Sequence, residues 1–204
     1  MLNPTTYFTT RFLSAATLCC LIFTAAGCNP SKPDTTNFKT AINNYYSAHP
    51  SCVWSSSVKF PAQVDASNDE QTKGFDALTD AGLLTRKAEE KKRFLIGSKQ
   101  VTDYDVSDKG RTVWTPDQSQ PGYGNFCYGH RDVTSIDNVT LGTNQSGIKT
   151  ATVNYRYDLA PVPDWAKSQE TQTAFPNVQT DLSTPKTATA TLQQTQDSWQ
   201  VISN

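Results

Sequence analysis

The chain has 204 residues, 18 Lys+Arg against 19 Asp+Glu, with 36% of it apolar and 18% charged. Four Trp, eight Tyr and nine Phe are too many rings for a disordered chain, and the polar surplus is Thr, Ser, Asn and Gln rather than Pro or Gly. These values exclude a fibre, a multi-pass membrane protein and a basic nucleic-acid binder, and leave one domain or two small ones around a modest core.

Residues 1–11 hold no acid and end in Arg11, and an apolar run from Phe12 to Gly27 then leads to Cys28. As a helix the run would be about 24 Å long at about 1.5 Å per residue, short of a ~30 Å hydrocarbon core. A basic residue, a short apolar stretch and small residues at its end form a secretory signal. Its last residues, Thr24-Ala25-Ala26-Gly27-Cys28, resemble the lipobox of bacterial lipoproteins, with Ala25 where that family prefers Leu. The resemblance implies cleavage before Cys28, diacylation of its thiol, acylation of the new amine and attachment to a membrane through the lipid. Asn29, where Asp would retain the chain, implies the outer membrane, facing the periplasm, by that family's sorting habit. An ordinary signal peptide cut at Ala-Ala-Gly and an uncut anchor are the other readings. Without residues 1–27, 17 basic residues meet 19 acidic ones, a net charge of −2.

Residues 28–37 include NPSKPDTTN, with two prolines and no large apolar side chain, and read as a flexible tether. Phe38, Ala41, Ile42, Tyr45 and Tyr46 then fall on one helix face over Phe38–Ala48, with Asn37 as N-cap and Pro50 as stop. With Cys19 and Cys20 in the signal and Cys28 lipidated, Cys52 and Cys127 remain as an even pair in an oxidising compartment. A disulfide between them would close about 75 residues and add about 4.5 kcal/mol in the chain-entropy picture. A metal site using His49 and His130, each three residues from a Cys, is the rival reading, and no Cys-x-x-Cys unit supports it.

Val53–Val58 predicts a short strand, broken before Pro61. Asp69–Ala81 predicts a helix with Phe75, Leu78 and Ala81 on one face and Gly82 past its end. Val101–Val106 alternates as a strand, Ser107–Gly110 reads as a turn, and Arg111–Thr115 as extended, with Leu83-Leu84 and Phe94-Leu95-Ile96 flanking the charged stretch Arg86–Arg93. The helix, Leu78-x-x-Ala81-Gly82-Leu83-Leu84-x-Arg86, and a hairpin closing on Tyr104-x-Val106-Ser107-x-x-Gly110-Arg111 resemble the winged-helix module. In that family the helix before Gly-Leu reads the DNA major groove. Here Asp69–Arg111 holds nine Lys/Arg and nine Asp/Glu, without the positive surplus that phosphate contact needs, so the segment is expected to be scaffold with no nucleic-acid partner.

Pro116–Gly122 reads as a linker. Beyond it Gly124–Gly129 and Val133–Leu141 are extended, Asn144–Gly147 is a turn, and Ile148–Leu159 alternates, placing Ala151, Val153, Tyr155 and Tyr157 on one face. Asp164 is expected to cap a short helix from Trp165, and Phe175–Leu182 to form another. Ala188–Gln194 and Trp199–Ile202 are expected to pair as a hairpin. Such long strands, ending in Trp-x-Val, resemble the curved sheets of cystatin-like exported domains. The expected fold is therefore α+β: an N-terminal helix and a winged-helix-like helix–hairpin segment (residues 38–118), then a curved antiparallel sheet (residues 119–204), as two halves or one continuous domain.

No Gly-x-Ser-x-Gly elbow, His-Glu-x-x-His, P-loop or EF-hand loop occurs. Gly122-Tyr-Gly124-x-x-Cys127 falls short of a dinucleotide fingerprint. An envelope hydrolase could draw on Ser55, Ser56 or Ser57 with His49 or His130, though no turn marks a nucleophile. The denser feature is aromatic: Trp114, Tyr123, Phe126 and Tyr128, with Tyr155 and Tyr157, could offer faces to a sugar or peptide, although such rings more often fill a sheet core. The expectation is a membrane-anchored exported lipoprotein with a binding or structural role. Its partners would be the membrane, through the lipid, and a protein or glycan; no catalytic residue, cofactor or metal is expected.

Overall fold

Asp34, three residues ahead of the expected Asn37, starts the first helix. Its carboxylate accepts from the Asn37 N–H at 2.9 Å, so α1 runs over Thr35–Ala48 and takes in the last residues of the expected tether. A computed structural model describes residues 31–92, 98–183 and 186–203. Cys28, the signal and Phe94-Leu95-Ile96 lie outside the described residues. Helix α1 buries Phe38, Ala41, Ile42 and Tyr46, the expected stripe, while Tyr45 sits at its edge.

The expected strand over 53–58 is interrupted. Strands β1 (Ser51–Cys52) and β2 (Val58–Lys59) are separated by bends that turn Trp54 inward. The buried Asn125 side chain takes the place of a strand partner there: its amide donates to the Trp54 carbonyl at 2.7 Å and its oxygen accepts from the Trp54 N–H at 3.3 Å. Strand β3 (Ala62–Asp65) then leads to α2 (Asp69–Asp80), capped by Asn68. Gly82 ends α2 at φ +75°, where the Gly82 N–H reaches the Thr79 carbonyl and the Leu83 N–H reaches Leu78, both at 2.8 Å. That reversal delivers Leu83 and Leu84 into the core and begins β4 (Leu84–Lys92). Strand β5 (Ser98–Val106) pairs antiparallel with β4 and, on its other side, with β3, giving a sheet ordered β3-β5-β4.

The expected turn after Val106 is one helical turn, α3 (Asp108–Arg111), because the Ser107 hydroxyl accepts from the Gly110 N–H and donates to the Gly82 carbonyl. Any side chain at Gly110 would collide with the Leu83 carbonyl oxygen. Strand β6 (Trp114–Pro116) follows, then β7 (Tyr123–Thr143), β8 (Lys149–Ala160), the short helices α4 (Asp164–Lys167), α5 (Gln169–Ala174) and α6 (Pro176–Leu182), and strands β9 (Lys186–Gln194) and β10 (Trp199–Ser203). Asp164 is the first residue of α4 rather than its cap, since Pro163 occupies that position without a side-chain bond. Helix α5, which the sequence reading lacked, is capped by Ser168.

The protein is α+β, with the N-terminal helix and helix–hairpin segment preceding a strongly curled antiparallel half-barrel ordered β1-β7-β8-β9-β10. Strand β7 joins what the sequence suggested were two extended pieces. Up to Gly129 it pairs with β1, β2 and β6; from His130 it pairs with β8. The change of partner occurs at Gly129, whose φ of +145° lets the backbone pass the Pro161 carbonyl. In β8, Ala151, Val153, Tyr155 and Tyr157 face inward and the intervening residues outward, as the alternation predicted.

Two buried clusters result. In the helix–sheet core, Phe38, Ile42 and Tyr46 of α1 pack on Val133, Val153, Tyr155, Leu192 and Trp199. The aromatic core gathers Val53, Phe60, Leu78, Leu83 and Tyr104 with Phe126, Trp165, Phe175 and Val178. Apolar contacts thus cross residue 118 in both directions.

Candidate functional site

The aromatic residues singled out as a possible platform are mostly interior. Phe126 is fully buried, with Trp114 4.9 Å away edge-on, Trp54 at 6.2 Å and Trp165 at 6.4 Å between ring centroids. Trp114 is half-buried against Phe60 at 5.4 Å. Rings in edge and tilted contact with one another have their faces occupied, so these two fill the core rather than meet a ligand. Tyr123 is half-buried with the Lys59 ammonium 5.9 Å from its ring centre. Tyr128 is 1% exposed; burial first, then the bond its hydroxyl donates to Asp181 at 2.7 Å, pushes its phenol pKa up.

Around Tyr128 a polar seam joins the two cores. Asp181 also accepts from Lys186 at 3.4 Å, and the Asn177 amide donates to the Cys52 carbonyl at 3.1 Å. Cys52 and Cys127 stand opposite each other in the β1–β7 register, with their sulfurs at disulfide distance. This position ties the short strands of the aromatic core to the long strand shared by both.

The other half of the seam is built on Arg131, which sequence reasoning missed. Its guanidinium lies between the rings of Tyr46 and Tyr157, 4.4 and 4.7 Å from their centroids, and donates to the hydroxyls of Tyr46 at 2.7 Å and Tyr155 at 3.3 Å. Burial works against the charge, but the Tyr155 bond and the tyrosines around it outweigh this, and the Arg131 pKa is raised. The Tyr155 phenol is pushed up by burial and by its bond to Tyr46. Beside it, Asn43 of α1 accepts from the Val133 N–H at 2.9 Å, next to a bulge in β7. Two polar side chains, Arg131 and Asn43, thereby latch α1 onto the sheet. Nothing local marks Arg131 in the sequence, where it stands between His130 and Asp132; its tyrosine partners are 24 to 85 positions away.

The histidines do not form a catalytic pair with the serines. His49 holds the Tyr45 carbonyl through Nδ1 at 2.7 Å, so that nitrogen carries the proton, and its ring stacks on Tyr45 at 4.2 Å. His130 lies in β7 opposite Ala160, at the point where the strand changes partner. Among the described residues neither imidazole bonds a serine hydroxyl, and no group of three or more His, Cys, Asp or Glu is placed to hold a metal.

Two surface hollows could receive a partner. One, about 410 Å³, lies between α1 and β10 and is lined by Asn37, Thr40, Asn44, Tyr45 and Gln200 over Trp199. It offers amides, hydroxyls and an aromatic ring with no charged side chain. The other, about 800 Å³, lies on the β3-β5-β4 sheet among Arg86, Lys87, Lys91, Asp103 and Asp105. Two of its cations are paired, Arg86 with Asp76 at 2.8 Å and Lys87 with Glu89 at 2.9 Å, and Lys91 donates to the Gln63 side chain. Helix α2, the element equivalent to the DNA-reading helix in the winged-helix resemblance, packs on α5, with Gly74 against the Phe175 ring. Comparison with known proteins gave no match to a family profile, a curated sequence or a solved structure.

Proposed function

We propose that this protein is an exported bacterial lipoprotein, acylated at Cys28 and held at the outer membrane facing the periplasm, whose body has a non-catalytic binding or structural role. The observation that carries the reading is the junction between the lipobox-like sequence and the folded body. Ser31, three residues after Cys28, is already fixed: its carbonyl accepts from Gln194 Nε2 at 2.8 Å and Trp199 Nε1 at 3.1 Å, and its hydroxyl donates to the Gln196 carbonyl at 3.0 Å. A fixed contact only three residues after the cysteine fits a lipid on that residue. The Cys52–Cys127 pair fits an oxidising compartment. Among the described residues no helix is long and apolar enough to cross a membrane. The uncharged hollow between α1 and β10 suits a neutral hydrogen-bonding partner, a glycan or an uncharged peptide segment.

Metabolic labelling with a fatty acid tests the anchor. The wild-type chain incorporates the label and sediments with membranes, and Cys28→Ala loses both properties. Equal labelling of the two would overturn the reading.

A further inference from the structure

The long sheet has two unlike ends. At one end lie the β7–β8 turn, closed by the Gly147 N–H on the Asn144 carbonyl at 3.0 Å, and the β9–β10 turn, closed by Thr195 on Ser198 at 2.7 Å. The Asn144 amide reaches Gln193 at 3.5 Å, so the two turns are neighbours. The start of α1 is there too, with the Phe38 ring 5.0 Å from Trp199, and so is Ser31. The Cys52–Cys127 pair and the aromatic core lie beyond the other end. Thirteen residue steps along β7 lead from His130 to Thr143, about 40 Å of strand at ~3.3 Å per step.

Four large apolar side chains are exposed among the described residues, and three of them belong to the turn end. Leu141 is 57% exposed and two residues from the end of β7; Ile148, 37% exposed, precedes β8; Ile202, 56% exposed, lies in the bulge between Val201 and Ser203. Charge at this end is nearly balanced, Lys32, Lys39 and Lys149 against Asp34 and Asp197. The three residues from Cys28 to Ser31 span at most about 10 Å. A lipid on Cys28 therefore holds this end within reach of the headgroup layer, where exposed Leu and Ile side chains gain by entering the acyl boundary.

We infer that the turn end, through Leu141, Ile148 and Ile202, seats on the lipid bilayer, directing the aromatic core and the β3-β5-β4 sheet away from the membrane. The inference rests on acylation of Cys28. Nearly balanced charge leaves the contact chiefly apolar, so salt and the share of anionic lipid alter it little.

The test uses the full acylated chain in vesicles of phosphatidylethanolamine and phosphatidylglycerol carrying a nitroxide headgroup lipid. A fluorophore is attached at Ile148→Cys or, as the distal control, at Lys87→Cys, a position 77% exposed on β4. Quenching at Ile148→Cys, none at Lys87→Cys, and weaker quenching at Ile148→Cys when Leu141→Ser and Ile202→Ser are added are expected. Both substituted leucine and isoleucine side chains are more than half exposed, so the fold tolerates the change. Equal quenching at the two sites, or none at either, in protein shown by mass to carry the acyl chains would overturn the orientation and leave the anchor standing. Unmodified Cys28 would overturn the anchor and the orientation with it.

Discussion

In the helix–sheet core one helix covers consecutive antiparallel strands, and each strand supplies its share by simple alternation: Ala151, Val153, Tyr155 and Tyr157 from β8, Ala190 and Leu192 from β9. The aromatic core is assembled differently. Its members come from bends, three short strands, the end of α2, the β4–β5 hairpin, the first quarter of β7 and three short helices. Trp54 alone contacts Phe60, Phe75, Phe126 and Phe175 at 5.6 to 6.2 Å between centroids. The first core is held by regular pairing plus a polar latch at one helix. The second is held by rings packed edge to face and by a covalent link where regular pairing is shortest. A polar chain can therefore close two cores on one sheet, provided the irregular one has another constraint.

The largest expected effect exploits that link. Replacing both cysteines, Cys52→Ala with Cys127→Ala, should destabilise the chain by up to about 4.5 kcal/mol, the loop-closure value for 75 residues. In urea unfolding the midpoint falls, and amide protection is lost first in β1, β2 and the early part of β7. Uniform loss across β8 and β9 as well would show the two cores to be a single cooperative unit and erase the distinction drawn between them.

The reverse experiment loosens the helix–sheet core. Arg131→Met keeps an apolar stem between Tyr46 and Tyr157 but removes the cation from both rings and from two hydroxyls, which remain 3.3 Å apart and can bond each other. A cost of about 2 kcal/mol is expected, in line with a desolvated cation–π pair. Hydrogen exchange should accelerate in α1 while the strands around Cys127 keep their protection. Unchanged exchange in α1 would mean that Phe38, Ile42 and Asn43 hold the helix without the arginine.

These two regions were also unequally legible. Alternation in β8, the stripe on α1 and the Trp199 hairpin are local patterns, and each appears in the structure within a few residues of its expected bounds. Cys52 and Cys127 could be paired by elimination because few cysteines remained. The aromatic core was not legible, since no period relates Trp54, Phe126 and Phe175; their contacts depend on Asn125 standing in for a strand and on the kink at Gly129. For the same reason Phe126 and Tyr128 could be read as a binding platform as well as core, the reading that burial bears out: alternation shows that a strand has two faces, not that both are covered. Cap positions shifted because Asp34 and Asn37 are both good caps, and it is the Asp34 carboxylate that accepts from the N–H three residues on.

The smallest effect separates the cores by pH. Tyr104 is 1% exposed in β5, and its hydroxyl donates at 2.9 Å to Asp76, which also receives Arg86 at 2.8 Å. Burial first, then the carboxylate, push its pKa from 10.0 to about 12. A phenol whose folded pKa lies above its unfolded one stabilises the fold fully below pH 10, and this contribution is lost as pH rises through about 12. Tyr155, in the other core, is raised mainly by burial and is partly relieved by the Arg131 guanidinium, so its phenolate would meet a cation rather than a carboxylate. Tyr104→Phe should therefore cost about 1 kcal/mol at neutral pH, the net value of one hydrogen bond, because Arg86 still satisfies Asp76. Above pH 10 its stability should fall less steeply than that of the wild type, the remaining slope belonging to the other buried tyrosines. Parallel urea-midpoint curves for the two proteins across that range would mean that Tyr104 titrates no differently folded than unfolded, and that the carboxylate beside it does not set the aromatic core's response to alkali.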